Sequence, residues 1–464
     1  MPDHIGERTR RLQLEAERHI LFSFGDYADI QRSGIKVIER GEGCYVYDTD
    51  GRRYLDTFAS LLTTICGHHR PQVHEAMLRQ LRQIEFYPIY HDCLTPVVVE
   101  LAKRLASVAP GDLDVSFFVC DGSDATESAV KLARQFFWER GEKTRNKILF
   151  RRNSYHGATL GAVAATGLAW FRESQEPLAP GFVPVMTPNP YRCELGLDPE
   201  ASARAALANT EAIIRWERPD TIAAMILDPI PGSNTGYPVP PDFYLPQLKE
   251  LCDRYGILTI YDEIQTGMGK TGRMFACEHW DVVPDMLCVG KGFAAGFAPL
   301  SAVITRPSIA DVFRSPGHEF RHGYTYAGHP VSAAAALAVL DIIQDECLVE
   351  RARQVGHYLG EKLSRLREYP LVGDVRGLGL LQAVELVANS RHRTPLEPAG
   401  VVGGFVREFC YRRGMILRNN GDTLVLAPPL VVTEKIVDEI TACLEAAIVA
   451  AAEDPQTRPL IAAS

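Results

Sequence analysis

The sequence holds eleven cysteines but no Cys-x-x-Cys pair. Thiols spread in this way predict reduced, mostly buried side chains in a cytoplasmic protein and not a disulfide framework. No apolar run reaches the roughly 20 residues needed to span a bilayer, so no membrane segment is expected. The N-terminus, Met1-Pro-Asp-His-Ile-Gly-Glu-Arg8, is polar and lacks the apolar stretch of a secretory leader. Basic residues are also in deficit, and the formal charge of −9 argues against nucleic acid as a partner, though not against small anions. Gly377-Leu-Gly379 lacks the third glycine of a dinucleotide fingerprint. Gly269-Lys270-Thr271 ends like a P-loop, but Ile264 stands where its first glycine is required. His68, His69 and His74 lack acids or thiols at ligand spacing, so no metal site is expected. No internal repeat or low-complexity tract occurs.

What is present suits a large soluble globular protein. With 464 residues, 46% of them apolar and 23% charged, the chain can form two domains with ample cores. Residues 1–35 read as a helical arm and 36–57 as a hairpin turning at Asp50-Gly51. From about 75 to 330, helical stretches alternate with short apolar runs: Val115–Cys120, Lys147–Phe150, Ile222–Leu227, Leu258–Tyr261 and Met286–Val289. That alternation predicts an α/β layer with a mainly parallel sheet. Pro330 to Arg367 reads as one or two long amphipathic helices leading into a strand-rich C-terminal part.

Several of these runs end in residues suited to chemistry. Asp262 closes Ile257-Leu-Thr-Ile-Tyr-Asp262, and a carboxylate at the carboxyl end of a buried strand points into the crevice where α/β proteins bind ligands. Lys291 follows Pro284-Asp-Met-Leu-Cys-Val-Gly290 and precedes Gly292; burial there lowers an amine's pKa and favours its neutral, reactive form. Gly122-Ser123 join the Val115–Cys120 run to a helical stretch with Ala125, Ala129, Leu132 and Phe136 on one face. Free backbone N–H groups at such a helix start cradle phosphate. Further motifs are Asn153-Ser-Tyr155-His156-Gly157, Asp262-Glu-Ile264-Gln265, His322-Gly-Tyr-Thr325-Tyr-Ala-Gly-His-Pro330 and Gly414-Met-Ile-Leu-Arg418.

Taken in this order, from about residue 35 to about 448, the motifs resemble those of the class III, or ω-type, aminotransferases that use pyridoxal 5′-phosphate (PLP). The resemblance implies PLP fold type I: a large domain with a seven-stranded, mainly parallel sheet and a smaller α+β domain built from both termini. Residues 1–75 would supply the arm and part of the small domain, 76–330 the PLP-binding domain, and 331–464 the rest. It assigns Lys291 as the Schiff-base lysine and Asp262 as the partner of the pyridine nitrogen. Tyr155 and Ile264 would flank the ring, Gln265 would reach its phenolic oxygen, and His156 would stand behind it. Gly122 and Ser123 would hold the phosphate, with Thr325 reaching the phosphate of a partner subunit. The last point implies a homodimer with composite sites, with association into tetramers left open. Arg418 would grip substrate carboxylates, for which its planar fork is suited. The implied reaction moves an amino group from an amine or ω-amino acid to a keto acid such as pyruvate.

Three departures bear on that reading. Asp124 stands where the family has glutamate. Asp228-Pro229 replaces the common Glu-Pro, so the shorter carboxylate is poorly placed to pair with Arg418. In Ala59-Ser-Leu-Leu62, Leu62 takes the place of the tryptophan of Ser-Gly-Leu-Trp, which suggests a wider or more aliphatic substrate pocket. The same fold also serves dialkylglycine decarboxylases, which the tract Gly272-Arg-Met-Phe-Ala-Cys-Glu-His279 resembles, as well as aminomutases and racemases. A non-catalytic PLP-fold protein is disfavoured by the intact Lys291, Asp262, Gly122-Ser123 and Thr325.

Overall fold

A computed structural model of the chain describes residues 6–461, so the first five residues of the expected arm and the last three of the chain lie outside the described residues. The run Ile222-Ala-Ala-Met-Ile-Leu227 is apolar throughout, and all six residues are buried. That pattern fits a central parallel strand covered on both faces. Seven strands form the main sheet: β1 Val115–Val119, β2 Lys147–Arg151, β3 Phe182–Val185, β4 Ile222–Leu227, β5 Leu258–Asp262, β6 Met286–Val289 and β7 Ser301–Thr305. Their spatial order is β3-β2-β4-β5-β6-β7-β1. β2 to β6 pair in parallel, and β7 runs antiparallel to both β6 and β1. The carboxyl ends of β1, β2, β4, β5 and β6 therefore share one edge of the sheet.

Five of these strands match apolar runs in the sequence. The other two carry weaker signals. β3 is an edge strand of four residues that contains Pro184, which an edge tolerates because no ladder bond is lost there. β7 is Ser-Ala-Val-Ile-Thr, fully buried but short.

The hairpin at Asp50-Gly51 forms between Tyr45–Asp48 and Arg53–Asp56, with Ile38–Glu42 added as a third antiparallel strand. Gly51 takes φ +80° in that turn, as the left-handed position requires. Met415–Ile416 pairs in parallel with Arg53–Asp56, joining the two ends of the chain in one sheet. A second small sheet is antiparallel, built from Val372–Leu378, Leu381–Leu386, Thr423–Leu426 and Arg418–Asn420.

The stretch after Pro330 is two helices, Pro330–Asp345 and Leu348–Ser364. The first departs from the expected amphipathic form. Its alanines 333–336 are all buried, so it is covered on nearly every side. No helix among the described residues is long and apolar enough to cross a membrane.

Candidate active site

A cavity of about 270 Å³ opens at the shared carboxyl edge. Strand alternation decides which acid enters it. Asp262 faces the cavity, and its buried carboxylate meets His156 Nδ1 at 2.8 Å and accepts from the Ile264 N–H at 3.1 Å. Glu263, one residue on, points the other way. It accepts from the N–H groups of Ala276 and Cys277, and burial raises its pKa to about 7.

Lys291 enters from the end of β6, also bordering the cavity. Its φ of +43° is unusual for a residue with a side chain. The preceding Gly290 packs so tightly that a Cβ there would lie 2.6 Å from Ser301 Oγ. Burial lowers the pKa of Lys291, an effect the Asp262 charge opposes and the Arg418 charge reinforces.

At the end of β1 the chain turns into helix Gly122–Glu139. Asp121 caps it, accepting from Asp124 N at 3.1 Å, while Asp124 Oδ2 accepts from Asp121 N at 3.3 Å. Asp124, the mild departure noted above, thus completes a reciprocal capping box. Ser123 Oγ accepts from Ala158 N at 3.1 Å and ties this helix start to the loop after β2. That loop carries Tyr155, His156 and Gly157. Gly157 sits at φ +135°, and a Cβ on it would come within 2.7 Å of Ser123 Oγ. Tyr155 borders the cavity with Phe171 edge-on at 5.6 Å. Burial raises its phenol pKa. His156 Nε2 is buried without a partner.

Ile264 packs under Gly122, where a Cβ would meet its Cδ1 at 2.9 Å. Gln265 also borders the cavity, with its Oε1 accepting from Ser233 N at 3.2 Å. Its amide N–H groups are left to donate.

The three residues expected to contact substrate fare differently. Asp228 borders the cavity, but its carboxylate is committed to Arg151 at 2.6 Å and to Gly232 N at 3.0 Å. Arg151 is fully buried, and breaking such a pair costs about 3–5 kcal/mol because the survivor is left as an uncompensated charge. The sequence reading missed Arg151, because an arginine ending an apolar strand looks like a strand terminus meeting solvent.

Leu62 is a correction. It is buried in the core at 3% exposure, and Leu61 borders the cavity instead. Residues Ala59, Ser60, Leu61 and Leu62 all have positive φ, from 44° to 70°. This left-handed turn rotates the expected register by one residue. It costs about 1–2 kcal/mol per residue. Asp56 offsets part of that by accepting from Phe58 N, Ser60 N and Ser60 Oγ at 3.1, 2.7 and 2.8 Å. No glycine marks the turn, so nothing in the residues 59–62 signals it.

Arg418 lies on the strand Arg418–Asn420 with its guanidinium over the Phe58 ring at 5.4 Å. Its Nε is buried without a partner, and among the described residues no acid pairs with it. Its charge acts on both Lys291 and Tyr155. Thr325 is exposed and does not border the cavity of its own chain.

The residues gathered here fit PLP on three counts. A buried carboxylate with its own histidine faces inward, an amine of lowered pKa stands on the same wall, and a capped helix start offers backbone N–H groups. Gly122 and Gly157 let this wall pack closely, since a Cβ on either would strike Ile264 or Ser123.

Comparison with known proteins agrees. Residues 28–448 match the Aminotransferase class-III family. A putrescine–pyruvate aminotransferase of Pseudomonas aeruginosa is 35% identical over 434 residues, spanning 93% of this chain and 94% of its own. The crystal structure of an (S)-enantioselective omega-transaminase from Thermomicrobium roseum superposes with a TM-score of 0.92 at 38% identity, covering 96% of this chain and 99% of that one. A PLP-bound amine transaminase from an uncultivated Pseudomonas species gives a TM-score of 0.89 at 38% identity, covering 93% and 98%. The chain belongs to the class III aminotransferases, and it is a pyridoxal-phosphate-dependent enzyme of the PLP type I fold.

Proposed function

We propose that the enzyme takes an amino group from an amine or ω-amino acid and gives it to a keto acid, with pyruvate as the acceptor, in two half-reactions at one site. The observation that carries this reading is Arg418: a cation beside Lys291 and Tyr155 with no acid partner among the described residues. It can receive an acceptor's carboxylate through two parallel N–H bonds. Similarity to the putrescine–pyruvate aminotransferase of Pseudomonas aeruginosa supports the same pairing of donor and acceptor.

Bound PLP supplies an electron sink for the carbanion formed at the substrate carbon. Asp262, oriented by His156, would hold a proton on the ring nitrogen. Lys291 Nζ anchors the cofactor and, once released, removes the proton from the substrate carbon; its lowered pKa supplies the free base this needs. Tyr155 and Ile264 would hold the ring between them, and Gln265 would donate to its phenolic oxygen. The N–H groups at Gly122 and Ser123 would hold the phosphate. The exposure of Thr325 supports its service to a partner's phosphate, hence a homodimer with composite sites. Pairing of Met415–Ile416 with Arg53–Asp56 supports a small domain from residues 1–75 and 331–464 beside a cofactor-binding domain of 76–330. The free, mostly buried cysteines support a reducing compartment, the cytoplasm.

The Arg418→Ala variant tests the acceptor. Loss of a bidentate charged contact is expected to raise KM for pyruvate about 100-fold. KM for an amine without a carboxylate should stay within about twofold, since no new charge pairing is lost there. An unchanged KM for pyruvate would remove Arg418 from the substrate site.

A further inference from the structure

The segment from Glu319 to Tyr324 lies along one face of helix Gly122–Glu139. Gln135 Nε2 donates to the Glu319 carbonyl at 2.5 Å, and its Oε1 accepts from Arg321 N at 3.1 Å. One turn closer to the helix start, Lys131 Nζ meets His322 Nδ1 at 2.7 Å. Another turn closer, Ser128 Oγ meets His322 Nε2 at 2.9 Å. Residues 128, 131 and 135 stand three and four apart, so they share one helix face.

These bonds fix the tautomer of His322. Ser128 gives its hydroxyl proton to the Asp124 carbonyl at 2.6 Å, so its oxygen accepts from His322 Nε2–H. Lys131 has only protons to give, so His322 Nδ1 accepts. A second proton on the ring would face the Lys131 ammonium. Burial, with help from that charge, holds the pKa of His322 down at about 4. The imidazole also lies against the Phe117 ring at 5.7 Å and 22°, with Phe320 and Tyr324 edge-on. Phe117 belongs to β1, whose end leads into Gly122. Thr325 follows His322 by three residues and emerges exposed.

We propose that His322 is a positioning residue that locks the Thr325-bearing segment onto the helix whose start holds phosphate, so that each subunit's strap sets the tightness of its partner's cofactor site. This rests on the reading that Thr325 serves the partner's phosphate. The helix start of one site and the threonine of the other then move as one body.

The test uses His322→Phe, which keeps an aromatic ring on Phe117 and removes both hydrogen bonds. Lys131→Met, on the exposed side of the same contact, removes one. Apo-dimers of each are titrated with PLP, reading the visible absorbance that arises at Lys291. His322→Phe should weaken PLP binding by at least about tenfold with the dimer and secondary structure intact. Lys131→Met should weaken it less, and His322→Gln, which both donates and accepts, should recover part of the loss. Unchanged affinity in His322→Phe and Lys131→Met overturns the proposal; if His322→Phe does not fold, Lys131→Met decides alone.

Mixed dimers separate a local effect from one across the interface, because only a chain with Lys291 gives the visible signal. When His322→Phe and Lys291→Ala sit on different chains, the working site receives Thr325 from an intact strap and should bind normally. When both sit on the same chain, the working site should bind weakly. The opposite pattern, or equal weakening in both arrangements, overturns the proposal. Thr325→Ala in the same two arrangements reports separately on whether the sites are composite.

Discussion

Replacing Lys291 by alanine is expected to lower turnover by about 10⁴-fold or more, with PLP still binding at reduced affinity. The side chain stands at the end of β6 in a left-handed turn pinned by Gly290, and among the described residues no second amine borders the cavity. Lys270, the nearest buried lysine in sequence, is turned away. Its ammonium donates to the Ala427 and Pro428 carbonyls at 2.8 and 2.7 Å. No other described group can therefore both anchor the cofactor and carry the substrate proton. The remaining contacts, from the helix start at Gly122 to Asp262, do not depend on the lysine, so the cofactor retains most of its seat. Steady-state kinetics with absorbance titration of the variant check both halves. Turnover within tenfold of the parent would rule out Lys291 as the base.

The second large effect concerns Asp262→Asn. Asparagine has nearly the same shape and still accepts from Ile264 N and faces His156, so the fold should tolerate it. What disappears is the negative charge of a buried carboxylate on the cavity wall, where charges act strongly. Without it the ring nitrogen has no counter-ion to retain a proton, and the electron sink weakens. A fall in kcat of about 10³-fold is expected, with PLP affinity changed far less. The double variant His156→Ala with Asp262→Asn should lose little more than Asp262→Asn alone, since the histidine acts through the carboxylate. A kcat within tenfold of the parent for Asp262→Asn would show that the carboxylate is not the counter-ion.

Much of this site was legible in the sequence, for a physical reason. Asp262, Lys291, Gly122 and Tyr155 each follow a buried apolar strand, and strands carry their residues to a shared edge by topology alone. Their roles depend on backbone direction, which periodicity reveals. The substrate side depends on turns and on distant pairings, and there sequence reasoning ran out. Leu62 was expected in the cleft, but four successive left-handed residues turned it inward and exposed Leu61. Asp228 was expected beside substrate, but Arg151, 77 residues earlier, holds its carboxylate. With Asp228 engaged by Arg151, Arg418 has no acid partner among the described residues. The strands β3 and β7 escaped notice because one carries a proline at an edge and the other is short.

One experiment separates transfer through two half-reactions from the other reactions this fold supports. Purified enzyme is mixed with an amine donor such as putrescine, without keto acid, while absorbance is followed and the carbonyl product counted. The visible band of the lysine-bound cofactor is expected to bleach, about one carbonyl product to form per site before release stops, and pyruvate to restore the band. A band that persists with every amine supplied, or one that cycles with release of carbon dioxide from amino acid donors, would contradict it.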